Sequence, residues 1–369
     1  MGTLHNLIVN SARAGRTMLD ETSGMMPAGH NGPYHDPETP LRNTGHWLIT
    51  FAKAYELTNE DEFLTAVEQT AEYLTQSEHR PSEATFRHRS AENKDQCNGL
   101  IGQAWTIEAL AVAAETLDKP ELYELAEEVF CSHPFDEQIY FWERIDVDGT
   151  NLSFDRTFNH QLWFAAAGGL LADENDEIKR QVRGFLEQVD RTMRTYESGL
   201  IRHPLDPKVR LSLYVRHPAK YRGLMRSRVL GMFQPPNRKN ALRSKARAYH
   251  GFNLYAFAVL KEQFPKADIW DSPVFNRTID YVQNETFRKQ VDSSNLSFSF
   301  NPVGFEIAYA LETFDAADRS VRREWVQRQL TESFDGDSLL MTRDAEDPNT
   351  LAARLYEATR LENYDDLEI

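Results

Sequence analysis

Six stretches of the chain share one pattern, a short polar cluster followed by a run that is apolar at nearly every position. They are TGHWLITFAKAYELT from Thr44, DQCNGLIGQAWTIEALAVAAETL from Asp95, DRTFNHQLWFAAAGGLLAD from Asp155, YHGFNLYAFAVLKE from Tyr249, FNPVGFEIAYALETF from Phe300 and, less regularly, NTLAARLYEATRLE from Asn349. A helix that is apolar on every face is buried all round. After each of the first five comes a segment whose apolar positions recur every three or four residues among Glu, Asp, Arg and Gln, as in a helix with one wet face. A repeated pair of this kind sets the architecture.

The pattern predicts about twelve helices. They lie near Leu4–Asp20, Thr44–Leu57, Thr58–Gln76, Gln96–Leu117, Asp118–Phe130, Thr157–Ala172, Asn175–Tyr196, Ser244–Phe264, Ala267–Asn284, Pro302–Phe314, Arg319–Ser333 and Asn349–Leu361. Acidic residues in the first turn of the third suit the helix dipole, and Pro120 in the first turn of the fifth loses no hydrogen bond. The Gly- and Pro-rich MMPAGHNGPYHDPETP reads as irregular, and so does the proline-bearing stretch Glu197–Asn240. YFWERIDVDG and LSFDRTF read as short extended pieces that build no sheet. No linker divides the chain, so residues 1–369 read as a single domain. Six buried helices inside six amphipathic ones make an all-α (α/α)6 toroid, a six-hairpin barrel with a long irregular insertion between its seventh and eighth helices. An open α-solenoid is the alternative; twelve helices favour closure, which gathers the polar helix starts at one mouth.

Composition narrows the function. The chain carries 41% apolar and 27% charged residues, as soluble domains do. It has no apolar run long enough to span a membrane and no signal-peptide pattern at its start, which leaves a cytoplasmic location as the expectation. Cys97 and Cys131 make no disulfide framework. A net charge of −16 argues against nucleic acid as a partner. The basic stretch Lys208–Leu230 is the exception; it suits an anionic substrate, a peripheral contact with anionic lipid, or acidic surface elsewhere on the protein. Arg outnumbers Lys, 30 to 11, against 57 acidic residues, a balance that suits a salt-tolerant, halophilic surface.

The helix starts supply Gly45, His46 and Trp47; Asp95, Gln96 and Asn98; Asp155, Asn159 and His160; Tyr249, His250 and Asn253; and Asn301. Any one Asp or Asn here reads first as a helix cap worth about 1 kcal/mol. A cap needs one residue, however, and these starts carry two or three polar groups plus a ring. Rings and hydrogen-bonding groups converging on a concavity suit a sugar. His46, His160 and His250 lack metal-ligand spacing, there is no nucleophile elbow and no phosphate loop, so no metal or cofactor is expected. Asp95 and Asp155 open adjacent inner helices. Paired carboxylates with split proton affinities are the equipment of glycoside chemistry, although two independent caps are the plainer reading.

The succession GHWLITFAKAYELT, DQCNGLIGQAWTIEAL, FDRTFNHQLWFAAAGG, IRHPLDP and ARAYHGFNLYAFA resembles the unsaturated glucuronyl hydrolases and their rhamnogalacturonyl relatives over roughly Thr44 to Leu260. The resemblance implies a toroid in which an aspartate protonates the C4=C5 bond of an unsaturated uronic acid and water adds at C5, without a cofactor. By that likeness Asp155, in the D-x-x-x-N pattern with Asn159, is the acid/base, and Asp95 is the assisting aspartate. By the same likeness, the family's histidine ahead of a D-P turn maps onto His203 with Asp206 and Pro207, and its Gly-His-Trp entry onto Gly45, His46 and Trp47. Asn98, His160 and His250 complete the expected substrate-binding set. The sequence departs from the pattern at Gln96-Cys97-Asn98, where the family has D-L-G-F, at Arg247-Ala248-Tyr249-His250-Gly251, and in the basic insertion. The chain also resembles a toroid group from archaeal N-glycosylation clusters, which implies a hexuronic-acid-containing saccharide or lipid-linked glycan as substrate. Two other readings stand beside hydrolysis. Sugar epimerases share the toroid and move protons with histidines, for which His160 and His250 are placed; a binding toroid without chemistry is the third. Among the six starts the last two read as mostly structural.

Overall fold

The computed structural model describes residues 2–205, 209–232 and 235–368. The helices are α1 (Leu4–Arg16), α2 (Leu41–Thr58), α3 (Asp61–Leu74), α4 (Gly99–Leu117), α5 (Pro120–Cys131), α6 (Phe158–Leu171), α7 (Asp176–Thr192), α8 (Leu211–Arg216), α9 (Pro218–Met232), α10 (Pro236–Ala248), α11 (His250–Gln263), α12 (Pro273–Val282), α13 (Glu285–Asp292), α14 (Val303–Thr313), α15 (Arg319–Ser333) and α16 (Pro348–Ala353). The strands are β1 (Phe135–Asp136), β2 (Phe141–Ile145), β3 (Asn151–Phe154), β4 (Phe334–Asp335) and β5 (Leu340–Met341).

The ring closes. Helices α2, α4, α6, α11 and α14 each pack on the next, and α16 with the 3-10 turn that follows it returns onto α2. Outside them lie α1, α3, α5, α7, α12 and α15, each against its inner partner. This is the (α/α)6 toroid, and its cause is the alternation of helix types. In α7, Ile178, Val182, Phe185, Leu186 and Val189 are buried in a one-sided stripe, whereas α6 buries almost every residue from Phe158 to Leu171. Small residues bring the layers together; a Cβ on Gly168 would stand 2.3 Å from the Phe130 ring of α5. Among the described residues no helix is long and apolar enough to cross a membrane.

Several elements differ from the expectation. The stretch expected to be irregular holds α8, α9 and the start of α10. Pro218 and Pro236 stand in the first turns of α9 and α10, where a missing N–H costs nothing, so these prolines start helices. The helix expected over Ser244–Phe264 is two, with Tyr249 (φ −102°, ψ 6°) between α10 and α11. Pro273 likewise opens α12 inside the run expected as one helix, and Ser272 caps it by accepting from Val274 N. The extended pieces before α6 do form a sheet, antiparallel in the order β1-β2-β3, with Glu143 opposite Phe154. Helix α2 begins three residues earlier than expected, at Leu41.

Candidate active site

The inner-helix starts surround one cavity of about 220 Å³. Every inner stave contributes to its wall: Arg42 from α2, Asn98, Ile101 and Trp105 from α4, Asn159 and His160 from α6, Tyr249 and Phe252 around the start of α11, Phe300 and Asn301 before α14, and Arg354 after α16. Loops add Tyr34, Lys94 and His203, and α10 adds Lys245.

The centre of the site is a dyad. His160 Nδ1 lies 2.8 Å from Asp155 Oδ2. The same oxygen accepts from Leu100 N at 3.2 Å, and Oδ1 accepts from Thr157 N at 3.1 Å. Asp155 therefore caps the neighbouring inner helix, α4, as well as leading into its own. Gln161 fixes its backbone, donating to Asp155 O at 3.2 Å and to Trp142 O on β2 at 2.8 Å. The side chain of Asp155 is 6% exposed and that of His160 is 21%. Burial by itself would push the Asp155 carboxyl up; the His160 ring and its hydrogen bond, with Arg144 beyond, outweigh it and hold the group well below the usual carboxylate range. An ionised carboxylate only accepts, so the proton of a neutral His160 sits on Nδ1 and leaves Nε2 as the basic nitrogen of the ring.

Gly99 makes this contact possible. It adopts φ +60°, and a Cβ there would stand 2.5 Å from Asp155 Oδ2 and 2.9 Å from His160 Nδ1. Asn98 before it is also left-handed, at φ 57°. Beside the dyad, burial first and Lys245 second push the His203 ring down to about 3, so it stands neutral; its Nδ1 is buried and has no hydrogen-bond partner among the described residues. The Asn159 Oδ1 is likewise buried without a partner among the described residues.

The cavity is rich in cations. Arg42 lies 4.2 Å over the Trp105 ring and pairs with Glu38 at 3.1 Å. Lys94 pairs with Asp36. Arg354 bonds Glu306, Glu357 and Asn301. Lys245 differs: it lies over the Tyr34 and Tyr249 rings at 5.0 and 5.6 Å, and among the described residues no carboxylate is within ion-pair distance of it.

Of the residues expected from sequence, the structure brings Asn98, Asn159, His160 and His203 to the cavity and puts Asp155 directly behind His160. Asp95 stands further back, its carboxylate taken up by Gly99 N at 2.7 Å, Arg144 at 3.1 Å and Arg89 at 3.5 Å. Three others are elsewhere. His46 is buried one turn deeper, stacked on Tyr356 at 4.1 Å. Trp47 faces outward onto α1, where its ring would stand 2.3 Å from a Cβ on Gly15. His250 is buried toward the outer layer, with Nε2 3.0 Å from Thr278 O and Nδ1 accepting from Ile201 N. Asp206 and Pro207 lie outside the described residues. Sequence reasoning missed Arg42, Lys245 and Arg354. Arg42 was lost to the late start assigned to α2, and Arg354 to the reading of the last stave as structural. Cys97 is buried, which pushes its thiol up and leaves it inert. Among the described residues no group of three or more His, Cys, Asp or Glu is placed to hold a metal ion.

No family model matches the chain. Among solved structures, a D-mannose isomerase superposes with a TM-score of 0.63 at 14% identity, over 96% of both chains. An unsaturated glucuronyl hydrolase specific for heparin superposes at 0.62 and 12% identity, over 97% of this chain and 96% of that one. Both likenesses are of fold. Archaeal glycosylation protein Q of Haloferax volcanii is 48% identical over 369 residues, 99% of each chain. With nearly half of all positions shared along the whole length, the toroid described above belongs to the family of archaeal glycosylation protein Q.

Proposed function

We propose that the chain is a glycan-processing enzyme of archaeal glycosylation that moves a proton on a uronic-acid-containing saccharide, as an isomerase or epimerase, with His160 as the base. One observation carries this reading, the 2.8 Å contact in which a buried, ionised Asp155 fixes the His160 ring at the cavity wall. A general acid must hold its proton at working pH, and the contacts of Asp155 favour its charged form. A carboxylate behind an imidazole orients it and stabilises its protonated state. His160 Nε2 takes the proton from the carbon next to a carbonyl. The electron pair moves into an enolate, whose charge the cations of the cavity wall stabilise. The proton then returns from His160 Nε2 to the neighbouring carbon, or solvent delivers one to the opposite face of the same carbon while His160 gives its own up to solvent; the neutral His203 lines the wall beside it. Lys245, with no carboxylate partner among the described residues, supports a carboxylate on the substrate.

The test is turnover of saturated and 4,5-unsaturated uronic-acid disaccharides in D2O, followed by NMR. Deuterium entering a ring carbon without cleavage is expected. Release of a free sugar without such exchange would replace this reading with the hydrolytic one suggested by the Asp155/Asn159 pattern.

A further inference from the structure

Charge is segregated along this chain to an unusual degree. Residues 207–261 contain thirteen of the 41 Lys and Arg and none of the 57 acidic residues, so the rest of the chain sets 28 cationic side chains against 57 acidic ones. Most of these basic residues fall on α8, α9 and α10, and among the described ones few are used internally. Lys220 pairs with Asp136 and Glu143, and Arg243 lies over Tyr196. Arg216, Arg222, Arg226, Arg238 and Lys239 are exposed, and among the described residues none has a carboxylate at ion-pair distance.

The same face exposes apolar side chains. Val215 is 75% exposed and Met225 46%, two of the three exposed large hydrophobic residues among those described. On α9 the residues Arg222, Met225 and Arg226 follow helical spacing on the outer side, while Tyr221 and Leu224 are buried beneath. Tyr221 holds the segment to the ring, donating to Asp136 Oδ2 at 2.7 Å and stacking on Phe154. This face is therefore fixed relative to the cavity, whose wall α10 reaches through Lys245.

We propose that the α8–α10 face is a docking surface for an anionic membrane leaflet. Arginines flanking outward aliphatic side chains are the makeup of a helix that lies in the headgroup region, cations on the phosphates and apolar tips in the acyl boundary. A nucleic acid would reward the arginines but not Val215 or Met225, and the acidic remainder of the protein would repel it. A planar leaflet meets only the basic face. Docking of this kind sets the cavity mouth beside the lipid headgroups, where a membrane-borne substrate would be presented.

The test is flotation of the full chain with vesicles of phosphatidylcholine alone or mixed with phosphatidylglycerol, at a salt concentration where circular dichroism shows it folded. Wild type is expected to float only with the mixed vesicles. Val215→Ser with Met225→Ser, and separately Arg222→Glu with Arg226→Glu, should each weaken binding about tenfold while keeping the helical spectrum. Wild type that stays in solution with anionic vesicles overturns the proposal. So does a dimer that the Arg222→Glu/Arg226→Glu variant turns into a monomer, or an RNA affinity exceeding that for the vesicles.

Discussion

Asp155→Asn is the sharpest perturbation of the dyad. The carboxylate accepts three hydrogen bonds, from His160 Nδ1, Leu100 N and Thr157 N, at 2.8, 3.2 and 3.1 Å. Asparagine has one accepting oxygen, and its amide nitrogen must face a donor or the imidazole. Either orientation sets that nitrogen against a backbone donor. In place of Oδ2 it meets the Leu100 N–H and forces the His160 proton onto Nε2, so the nitrogen facing the cavity is no longer a base; in place of Oδ1 it meets the Thr157 N–H, and the ring keeps its tautomer but loses the carboxylate that stabilises its protonated form. In a serine protease the same exchange behind a catalytic histidine costs about 10⁴-fold in kcat, and a loss of about 10³–10⁴ is expected here. Stability falls far less, by about 1–3 kcal/mol, the cost of losing one charge-assisted bond and leaving one backbone N–H without its acceptor. The assay is proton exchange from D2O into the uronic disaccharide, with urea denaturation measured in parallel. A variant within tenfold of wild type refutes the argument. So does full exchange by His160→Gln alongside a dead Asp155→Asn, which would make Asp155 itself the reacting group.

Gly99→Ala places a methyl group 2.5 Å from Asp155 Oδ2 at φ +60°; the strained backbone costs about 1–2 kcal/mol, and exchange should fall about a hundredfold as the dyad is pushed apart, seen as a kcat loss in a protein that still unfolds cooperatively. Lys245→Met should raise KM for a uronate substrate about tenfold or more, leave kcat within a few-fold, and barely affect the neutral sugar analogue; equal effects on both substrates would remove Lys245 from carboxylate binding. Burial pushes His133 and His250 down to about 4 and His88 to about 3 from an ordinary 6.5. The unfolded chain therefore takes up protons below pH 6.5 that the folded chain refuses, so stability from these rings is complete above pH 6.5 and is lost as pH falls toward 4. Each ring contributes up to about 1.4 kcal/mol per pH unit, opposed by Glu357, whose buried carboxyl is raised to about 7 beside Arg354. His250→Gln should flatten the slope of urea-derived stability between pH 6 and 4.5 by about that amount, and an unchanged slope would show that His250 is charged in the folded protein.

The six-fold alternation of wholly apolar and one-sided helices was readable from the sequence, because helix burial is recorded residue by residue at a period of 3.6. So was the gathering of polar helix starts at one mouth, which follows from the ring. The sequence also marked the helix starts, that of Asp155, Asn159 and His160 among them, as carrying more polar groups than a cap requires, without separating these three from the rest. What tertiary structure alone decided was which member of each polar cluster faces the axis. Neighbouring residues on a helix point about 100° apart, so His46, Trp47 and His250 share a cluster with wall residues yet pack deeper or outward. Arg42, one turn before His46, faces the cavity. The partnership of Asp155 with His160 likewise depended on packing. The two are five residues apart, but their contact requires the left-handed Gly99 of the adjacent stave to leave them room, and no local pattern encodes the distance between two helices.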